Sequence, residues 1–212
     1  MVSNLLSVYA GTVSRGRSIG SSGLAAGLSA LRDVSSRRLS EVAAMHLARL
    51  LKPEMIKMEL ETTMPPETEE EEVNREKLVA GVKESVLEEL TDLLDRSGRV
   101  GNPNRLLKDL VHRERKATTG IGRGFAIPHV RTREAREFLF AVARSTPGIE
   151  FDAMDGEPVH IFLTFVSPPH DDQLYLTVYK RIAEAIETTT VLDDLMEAQS
   201  EGEVIRAMKW FD

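Results

Sequence analysis

Apolar residues recur every three or four positions in four parts of the chain, the spacing that places them on one face of an α-helix. The first part runs from Leu39 to Leu50 and must end before Pro53, because proline disfavours helical geometry in the residue before it. The apolar faces of the other three are Val82, Val86, Leu90, Leu93 and Leu94; Leu106, Leu107, Leu110 and Val111; and Tyr175, Tyr179, Ile182 and Ile186. Each part predicts an amphipathic helix.

Capping signals mark where several helices begin and end. Ser97–Gly98 follows the second apolar face, and glycine there is typical of a helix C-terminus. Asn102–Pro103 is a favourable N-cap and first-turn pair for the third helix. Ser200 and Glu203 have the spacing of a capping box and open a last helix. The apolar positions of that last helix are Val204, Ile205 and Met208. Those of a shorter helix before it are Val191, Leu192, Leu195 and Met196.

Strand patterns occupy the middle of the chain. Residues 55–60 alternate between apolar and polar, which predicts a strand. Further strands are predicted for Gly124 to Ile127, Phe138 to Arg144 and Val159 to Val166, the last nearly all apolar and therefore central. Asp155–Gly156, before the last strand, is a hairpin-turn signal. Helices first, strands in the middle and helices last predict an α+β fold with a mixed β-sheet flanked by helices.

The composition excludes several classes of site. The 212 residues include no cysteine, which rules out disulfides, thiolate zinc sites, iron–sulfur clusters and cysteine nucleophiles. The net charge is −7, from 27 basic and 34 acidic residues, and this argues against nucleic acid as a partner, because such binding needs a basic footprint. No apolar stretch approaches the roughly 20 residues of a membrane helix. We expect no membrane insertion and, by default, a cytoplasmic location.

Residues 1–44 differ in composition from residues 45–212. They hold ten Ser, five Gly, five Arg and two acidic residues, which gives a net charge of +3. We predict a Ser/Gly/Arg-rich, flexible extension ahead of one domain at 45–212. Three interpretations stay open: a targeting or docking arm for an acidic surface or anionic lipid, a disordered tail, or sequence upstream of a native start near Met45.

Other candidate sites are discarded on spacing. The acidic, Pro- and Glu-rich insertion at about residues 64–76 is typical of a solvated loop rather than a metal site, because its carboxylates repel one another. The five histidines show no metal-ligand spacing, so we predict no metal. Gly120 to Gly124 lacks the spacing and the following helix of a dinucleotide-binding loop. No serine-hydrolase elbow is present.

The remaining candidate chemistry lies around His129. The glycines of Gly120 to Gly124 permit tight turns and close backbone approach, and Phe125 to Ile127 form a short buried strand. Pro128 then interrupts pairing, so we expect His129 to be exposed at the rim of the sheet. Neutral imidazole is a competent nucleophile toward phosphorus. The arginines close enough in sequence to supply the cation that a phosphoryl group needs are Arg113, Arg123 and Arg131.

This run resembles the active-site segment of enzyme IIA domains of the fructose/mannitol class of the bacterial phosphoenolpyruvate-dependent phosphotransferase system, including its nitrogen-regulatory branch. The matching segments are Thr119 to His129, Leu50 to Glu54, Arg113–Glu114 and Gly148 to Val159, so the resemblance covers about residues 45–212. It implies the fold of those domains, a mixed sheet flanked by helices in α/β/α layers.

The resemblance also implies roles for particular residues. His129 is expected to accept the phosphoryl group, and Arg113 to line the phosphate site. Tyr175 stands where family members usually carry a second active-site histidine, and loop residue His170 either substitutes for that histidine or has no special role. The supporting or phosphate-binding positions are Thr119, Arg131 and His170. No metal or organic cofactor is implied.

Two functions from different classes stay open. The first is a phosphohistidine carrier that takes the group from a histidine phosphocarrier protein and passes it to a downstream enzyme IIB or a regulated protein. The absence of a transporter segment favours the nitrogen-regulatory branch over a sugar-permease subunit. The second is a non-catalytic module that binds a partner or senses an anion, and Tyr175 keeps this alternative open. The oligomeric state, including a homodimer, is not determined.

Overall fold

The computed structural model describes residues 47–66, 75–170, 172–188 and 190–211. Its helices are α1 (Leu47–Leu50), α2 (Arg75–Asp95), α3 (Pro103–Lys116), α4 (Asp172–Thr188), α5 (Val191–Glu197) and α6 (Glu201–Ala207), with 3-10 turns at Pro53–Met55 and Met208–Phe211. Its strands are β1 (Ile56–Lys57), β2 (Gly120–Gly122), β3 (Phe125–Ala126), β4 (His129–Arg131), β5 (Leu139–Ile149) and β6 (Val159–Ser167). The predicted extension 1–44 lies outside the described residues, as do 67–74 of the acidic insertion.

The predicted long helices are confirmed together with their caps. Leu90 and Leu94 of α2, like Leu106 of α3, are fully buried on the apolar faces. Gly98 ends the first of these helices with a φ of 64°, a left-handed conformation that favours glycine. The side chain of Asn102 accepts the Arg105 N–H at 3.0 Å and so caps α3. Of the helix predicted from residue 39, only Leu47–Leu50 falls within the described residues.

The capping box predicted for the last helix is wrong. The Ser200 side chain makes no capping hydrogen bond. The Glu203 carboxylate instead accepts the N–H of Gln199 at 2.7 Å, one residue earlier than a capping box requires. The helix still begins at the predicted place, because Glu201 and Glu203 put negative charge in its first turn.

The strands of the described ranges form a mixed sheet in the order β1-β5-β6-β3-β2, and β4 also pairs with β6. β5 and β6 are antiparallel, whereas β1 is parallel to β5. β3 and β4 both run parallel to β6, with Phe125 opposite Ile161 and His129 opposite Phe165. The central position predicted for the apolar β6 is confirmed, and so is the mixed sheet.

Two predicted strands have different lengths in the structure. The strand predicted over residues 55–60 pairs only at Ile56–Lys57, because the chain then bends and the Leu60 N–H donates to the Arg144 carbonyl at 2.7 Å. The strand predicted to end at Arg144 continues to Ile149. Solvent-facing positions at residues 146–147 hide this continuation in the sequence, although Ile149 is again fully buried.

The glycine-rich and Asp-Gly turns also differ from prediction in detail. Gly120–Gly122 is itself a strand, and β3 covers only Phe125–Ala126 of the predicted Gly124 to Ile127. Asp155–Gly156 does not form a two-residue hairpin. It lies in a turn closed by the Gly156 N–H on the Ala153 carbonyl at 2.9 Å, within a longer connection over residues 150–158.

Helices cover both faces of the sheet. Side chains along β6 point alternately to the two faces, so its residues show which helix packs on each face. On one face Phe165 packs edge-on against Tyr175 of α4, with ring centroids 5.3 Å apart. On the other face Phe162 contacts Phe151, over whose ring lies the Lys83 ammonium of α2. This arrangement confirms the α/β/α layers. Among the helices that the structure describes, none has the length and apolar character needed to cross a bilayer.

Candidate functional site

The glycine run folds into a tight hairpin that leads to His129. Gly122, Arg123 and Gly124 have φ values of 92°, 55° and 78°. Glycine adopts these left-handed conformations without strain, but arginine does not. The Asp155 carboxylate accepts the Arg123 N–H at 2.7 Å, and this bond lowers the pKa of Asp155. The turn of residues 153–156 therefore supports the hairpin from outside.

Pro128 joins β3 to β4 without breaking their alignment on β6. Its carbonyl accepts the Phe165 N–H at 3.2 Å and the Thr164 hydroxyl at 2.8 Å. The next residue, His129, pairs with Phe165, and their rings stack with centroids 5.3 Å apart and an interplanar angle of 18°. Strand pairing therefore resumes directly after Pro128, and the imidazole of His129 lies against the Phe165 ring.

The prediction that His129 is exposed is wrong, since only 4% of the residue is accessible. Two tyrosines of α4 cover the ring that Phe165 supports from below. The centroid distances from His129 are 5.4 Å to Tyr175 and 5.0 Å to Tyr179. Tyr175 is placed at the site as expected, whereas Tyr179 was assigned only to an apolar helix face. The four-residue spacing of the two tyrosines, one helical turn, was the available signal.

The backbone carbonyl of Ile127 determines which ring nitrogen of His129 carries the proton. It lies in hydrogen-bond contact with Nδ1, and a carbonyl oxygen can only accept. The neutral ring therefore holds its proton on Nδ1 and presents a lone pair on Nε2. Nε2 is thus the nucleophilic nitrogen.

Arg113, near the end of α3, faces that nitrogen. Its Nη2 lies 3.5 Å from Nε2 of His129, and its Nη1 donates to the Ala117 carbonyl at 2.8 Å. The Nε of Arg113 is buried and has no hydrogen-bond partner in the described part of the chain. The guanidinium is therefore fixed beside the ring with donor capacity to spare.

These surroundings lower the pKa of His129 to about 4. Burial is the largest cause, because it penalises the charged ring. The positive charge of Arg113 lowers the pKa further, and the bond to the Ile127 carbonyl acts in the opposite direction. At neutral pH the imidazole is therefore neutral and its Nε2 is unprotonated.

Beneath the site, a buried ion pair ties α3 to α2. Glu114 is 6% exposed, and its carboxylate lies 2.7 Å from the Lys83 ammonium. The same carboxylate accepts the backbone N–H and the hydroxyl of Thr119, the latter at 2.5 Å. Lys83 also contacts Asp152 at 2.8 Å. The Thr119 hydroxyl is thus bound to Glu114, the neighbour of Arg113, and not to His129.

The remaining predicted residues lie at different distances from the centre. Arg131 is exposed at the end of β4, with its guanidinium 5.3 Å from the centroid of the Tyr175 ring. His170 is exposed in the turn before α4. No hydrogen bond or ring contact between His170 and His129 occurs among the described residues, and a role for His170 stays a prediction.

Comparisons with known proteins agree with this arrangement. A family model described as "Phosphoenolpyruvate-dependent sugar phosphotransferase system, EIIA 2" matches residues 68–210. A fructose-specific EIIA component of Haloferax volcanii is 35% identical over 58% of this chain and 79% of its own length. A nitrogen regulatory protein of Pseudomonas aeruginosa is 31% identical over 56% of this chain and 77% of its own length. A fructose-specific EIIABC component of Bacillus subtilis is 28% identical over 61% of this chain, but the match spans only 20% of that longer protein.

Solved structures of low sequence identity share the fold. The nitrogen regulatory protein IIA-Ntr from Neisseria meningitidis superposes with a TM-score of 0.64 at 24% identity, covering 77% of this chain and 99% of that one. The IIA mannitol domain from Escherichia coli gives a TM-score of 0.57 at 16% identity, covering 74% of this chain and 98% of that one. The α/β/α arrangement is therefore that of these domains.

Proposed function

Because the chain belongs to the EIIA 2 family of the phosphoenolpyruvate-dependent sugar phosphotransferase system, we propose that it is a phosphocarrier whose acceptor is Nε2 of His129. In this proposal the donor is a histidine phosphocarrier protein. The group then passes to an enzyme IIB or alters the binding of a regulated protein. No cofactor takes part.

The observation that carries the proposal is the pairing of a neutral Nε2 with a fixed guanidinium. The pKa of His129 near 4 keeps the nucleophilic lone pair available at neutral pH. Arg113, with Nη2 at 3.5 Å, is positioned to neutralise charge on the incoming phosphoryl oxygens. This combination supports phosphoryl acceptance better than a purely structural histidine would.

The transfer step balances without a metal or a redox partner. The Nε2 lone pair of His129 forms a bond to phosphorus, while the bond from phosphorus to the donor ring nitrogen breaks and leaves its electron pair there. Nδ1 keeps its proton, so the His129 ring becomes positively charged, and the Ile127 carbonyl stabilises that charge. The donor ring, protonated on its other nitrogen, loses the same positive charge.

The cover over His129 has a consequence for access. With 4% of the residue exposed, a donor reaches Nε2 only when the side chains above the ring move. Tyr175 and Tyr179 are the aromatic part of that cover, and Arg131 lies over the first of them. We assign Tyr175 to orienting the ring and Arg131 to the mouth of the site.

The regulatory branch is our preferred assignment within the family. Relatives of this chain carry both descriptions, fructose-specific EIIA component and nitrogen regulatory protein. A non-catalytic binding module is the second candidate, because two tyrosines bury the histidine and one of them, Tyr175, stands where family members usually carry a second histidine. A direct labelling experiment separates the two candidates.

That experiment is intact-mass spectrometry after incubation with phosphoenolpyruvate, enzyme I and the histidine phosphocarrier protein. We expect an acid-labile adduct of about 80 Da on the native chain and none on His129→Gln. His112→Gln is the matched control, because His112 is an exposed histidine of the same helix as Arg113. An unlabelled native chain, folded and with its partners active, would reject the carrier in favour of the binding module.

A further inference from the structure

Glu114 is a buried carboxylate that the proposed chemistry does not use. No hydrogen bond or ion pair joins it to His129 or Arg113 in the described part of the chain. It accepts both the backbone N–H and the hydroxyl of Thr119, which is itself 3% exposed, and the Lys83 ammonium supplies its counter-charge. Hydrogen bonds to an ionised carboxylate are among the stronger ones in proteins, so this contact fixes Thr119 against α3.

One chain of contacts leads from Thr119 to the proton of the imidazole. The Thr119 carbonyl accepts the Ile127 N–H at 2.9 Å, and this bond joins the residue before β2 to the residue after β3. The Ile127 carbonyl in turn contacts Nδ1 of His129. The position of the carbonyl that determines the tautomer therefore depends on the position of Thr119.

A second chain of contacts leads from the same threonine to the guanidinium. Ala117 is the C-cap residue of α3, and its carbonyl accepts a hydrogen bond from Nη1 of Arg113 at 2.8 Å. One residue separates Ala117 from Thr119, which Glu114 binds back onto the helix. Because both ends of this short segment are bonded to α3, Nη2 of Arg113 is held 3.5 Å from Nε2 of His129.

Both chains of contacts end on groups that the transfer step needs in fixed positions. If the Ile127 carbonyl moves away, the ring proton can occupy Nε2 of His129 and remove the nucleophilic lone pair. If the guanidinium of Arg113 moves, charge on the incoming oxygens is less well neutralised. A displacement of about 1 Å caused far from the reacting atoms can slow a reaction by roughly a hundredfold. A residue that fixes both groups therefore affects the rate of transfer without touching the phosphoryl group.

We propose that Glu114, acting through Thr119, is a positioning residue that fixes both the tautomer of His129 and the guanidinium beside it. The effect on phosphoryl transfer rests on the proposed function, whereas the effect on the tautomer does not. Thr119 then links Glu114 to the site and is not a ligand of the phosphoryl group, because its hydroxyl proton is donated to the carboxylate.

The tautomer test uses the full chain with isotope-labelled histidine, observed by NMR at neutral pH. The Nδ1 and Nε2 resonances of His129 report which nitrogen carries the proton. We expect the native chain and Thr119→Ser to carry it on Nδ1, because both keep the hydroxyl that Glu114 binds. Thr119→Val loses the hydroxyl at nearly equal volume, and we expect its two resonances to move toward each other as the Nε2-protonated form becomes populated.

Two further variants complete the tautomer test. Lys83→Met/Glu114→Leu removes the carboxylate together with its counter-charge, so that no unpaired charge stays buried, and we expect the same movement of the resonances. Thr91→Val is the matched control. It removes the hydroxyl of a buried threonine of α2, which donates to the Leu87 carbonyl at 2.7 Å, and we expect it to leave the resonances of the native chain unchanged.

Two results of the tautomer test overturn the proposal. One is the native tautomer in folded Thr119→Val and in folded Lys83→Met/Glu114→Leu, which would mean that the Ile127 carbonyl is held in place without Glu114. The other is an equal movement of the resonances in Thr91→Val, which would mean that the loss of any buried hydrogen bond loosens the ring.

A kinetic test measures the effect on transfer and separates it from the proposed function. For transfer from the phosphorylated histidine phosphocarrier protein, we expect kcat to fall roughly tenfold in Thr119→Val with KM unchanged, and Thr119→Ser to recover most of this loss. Equal losses in the two variants would show that the hydroxyl is not the group that matters, and would overturn the positioning role. A native chain that accepts no phosphoryl group rejects the proposed function, whereas the tautomer test still decides whether Glu114 positions His129.

Discussion

At the scale of single residues, His129 is a histidine whose protonation is decided by its neighbours. The Ile127 carbonyl holds the Nδ1 proton, Arg113 faces Nε2, and the aromatic rings remove water. Because burial and the nearby cation both disfavour a charged ring, the pKa of His129 falls to about 4. The same features that keep the ring neutral therefore make the folded state sensitive to acid.

We predict a loss of stability in acid that belongs to His129. The folded ring has a pKa of about 4 and the unfolded ring one near 6.5, so between these values the unfolded chain binds the proton more strongly. The free energy of unfolding is expected to fall by about 3 kcal/mol from this group as the pH drops from 7 to 4, and to be independent of it above pH 7. Urea unfolding across this pH range measures the change.

The control for this prediction is His129→Gln, which removes the titrating ring. The pKa values of Asp155 and Glu89 are lowered in the folded protein, so their protonation in acid destabilises the native chain and the variant alike. The difference between the two pH profiles therefore isolates His129. Parallel profiles, or an NMR titration of the ring near pH 6.5, would contradict the assigned burial.

At the scale of elements, one arginine joins the sheet to two neighbouring segments. Arg144 of β5 donates from Nε to the Met58 carbonyl at 3.0 Å, just beyond β1. Its Nη1 donates to the Leu195 and Ala198 carbonyls at 3.1 and 2.7 Å, at the end of α5. These carbonyls have no further turn of helix to bond with, so the guanidinium acts as a C-terminal cap supplied by a strand.

We predict that Arg144→Leu lowers the free energy of unfolding by about 3 kcal/mol. The substitution leaves several part-buried carbonyls without a donor, and hydrogen bonds to a charged group are worth roughly 1.5–3 kcal/mol each. The matched control is Arg206→Leu, whose side chain is 67% exposed, and we expect a change within about 0.5 kcal/mol there. Equal effects of the two substitutions in urea denaturation would show that Arg144 is not a cap.

At the scale of the whole molecule, the Lys83–Glu114 pair connects the helical layer to the site. Lys83 of α2 contacts both Glu114 of α3 and Asp152 in the connection between the two longest strands. Glu114 in turn holds Thr119 at the start of the glycine hairpin. The positions of α2, α3 and the hairpin are therefore coupled through two buried charges.

We predict that Lys83→Met costs about 3 kcal/mol of unfolding free energy, because it leaves the buried Glu114 carboxylate without its counter-charge. The double variant Lys83→Met/Glu114→Gln is expected to recover part of this loss, since the neutral amide needs no cation. Urea unfolding of Lys83→Met, Glu114→Gln and the double variant completes a double-mutant cycle and gives the coupling energy of the pair. Lys116→Met, at an exposed lysine of α3, controls for loss of positive charge.

Additive effects in that cycle would mean that the two charges act independently. A loss from Lys83→Met no larger than that from Lys116→Met would mean that solvent, rather than Lys83, compensates Glu114.

The sequence by itself determined the features that close over a few residues. The end of α2 and the start of α3 follow from apolar spacing and from caps such as Asn102, whose bond spans three residues. The glycine run and Pro128 identified the segment that carries His129, because few residue types tolerate that backbone. Arg113 and Tyr175 were placed at the site by a resemblance of motifs rather than by periodicity.

Only the tertiary structure decided how those pieces meet. The burial of His129 depends on Tyr175 and Tyr179, which arrive from another helix, and its tautomer depends on the distance to a backbone carbonyl. The bond from Thr119 to Glu114 and the pairing of Val100 with Ala135 are likewise set by packing. Residue patterns report which side chains prefer burial, but the free energy of burying a given ring is set by its neighbours in space, and these are distant in the chain.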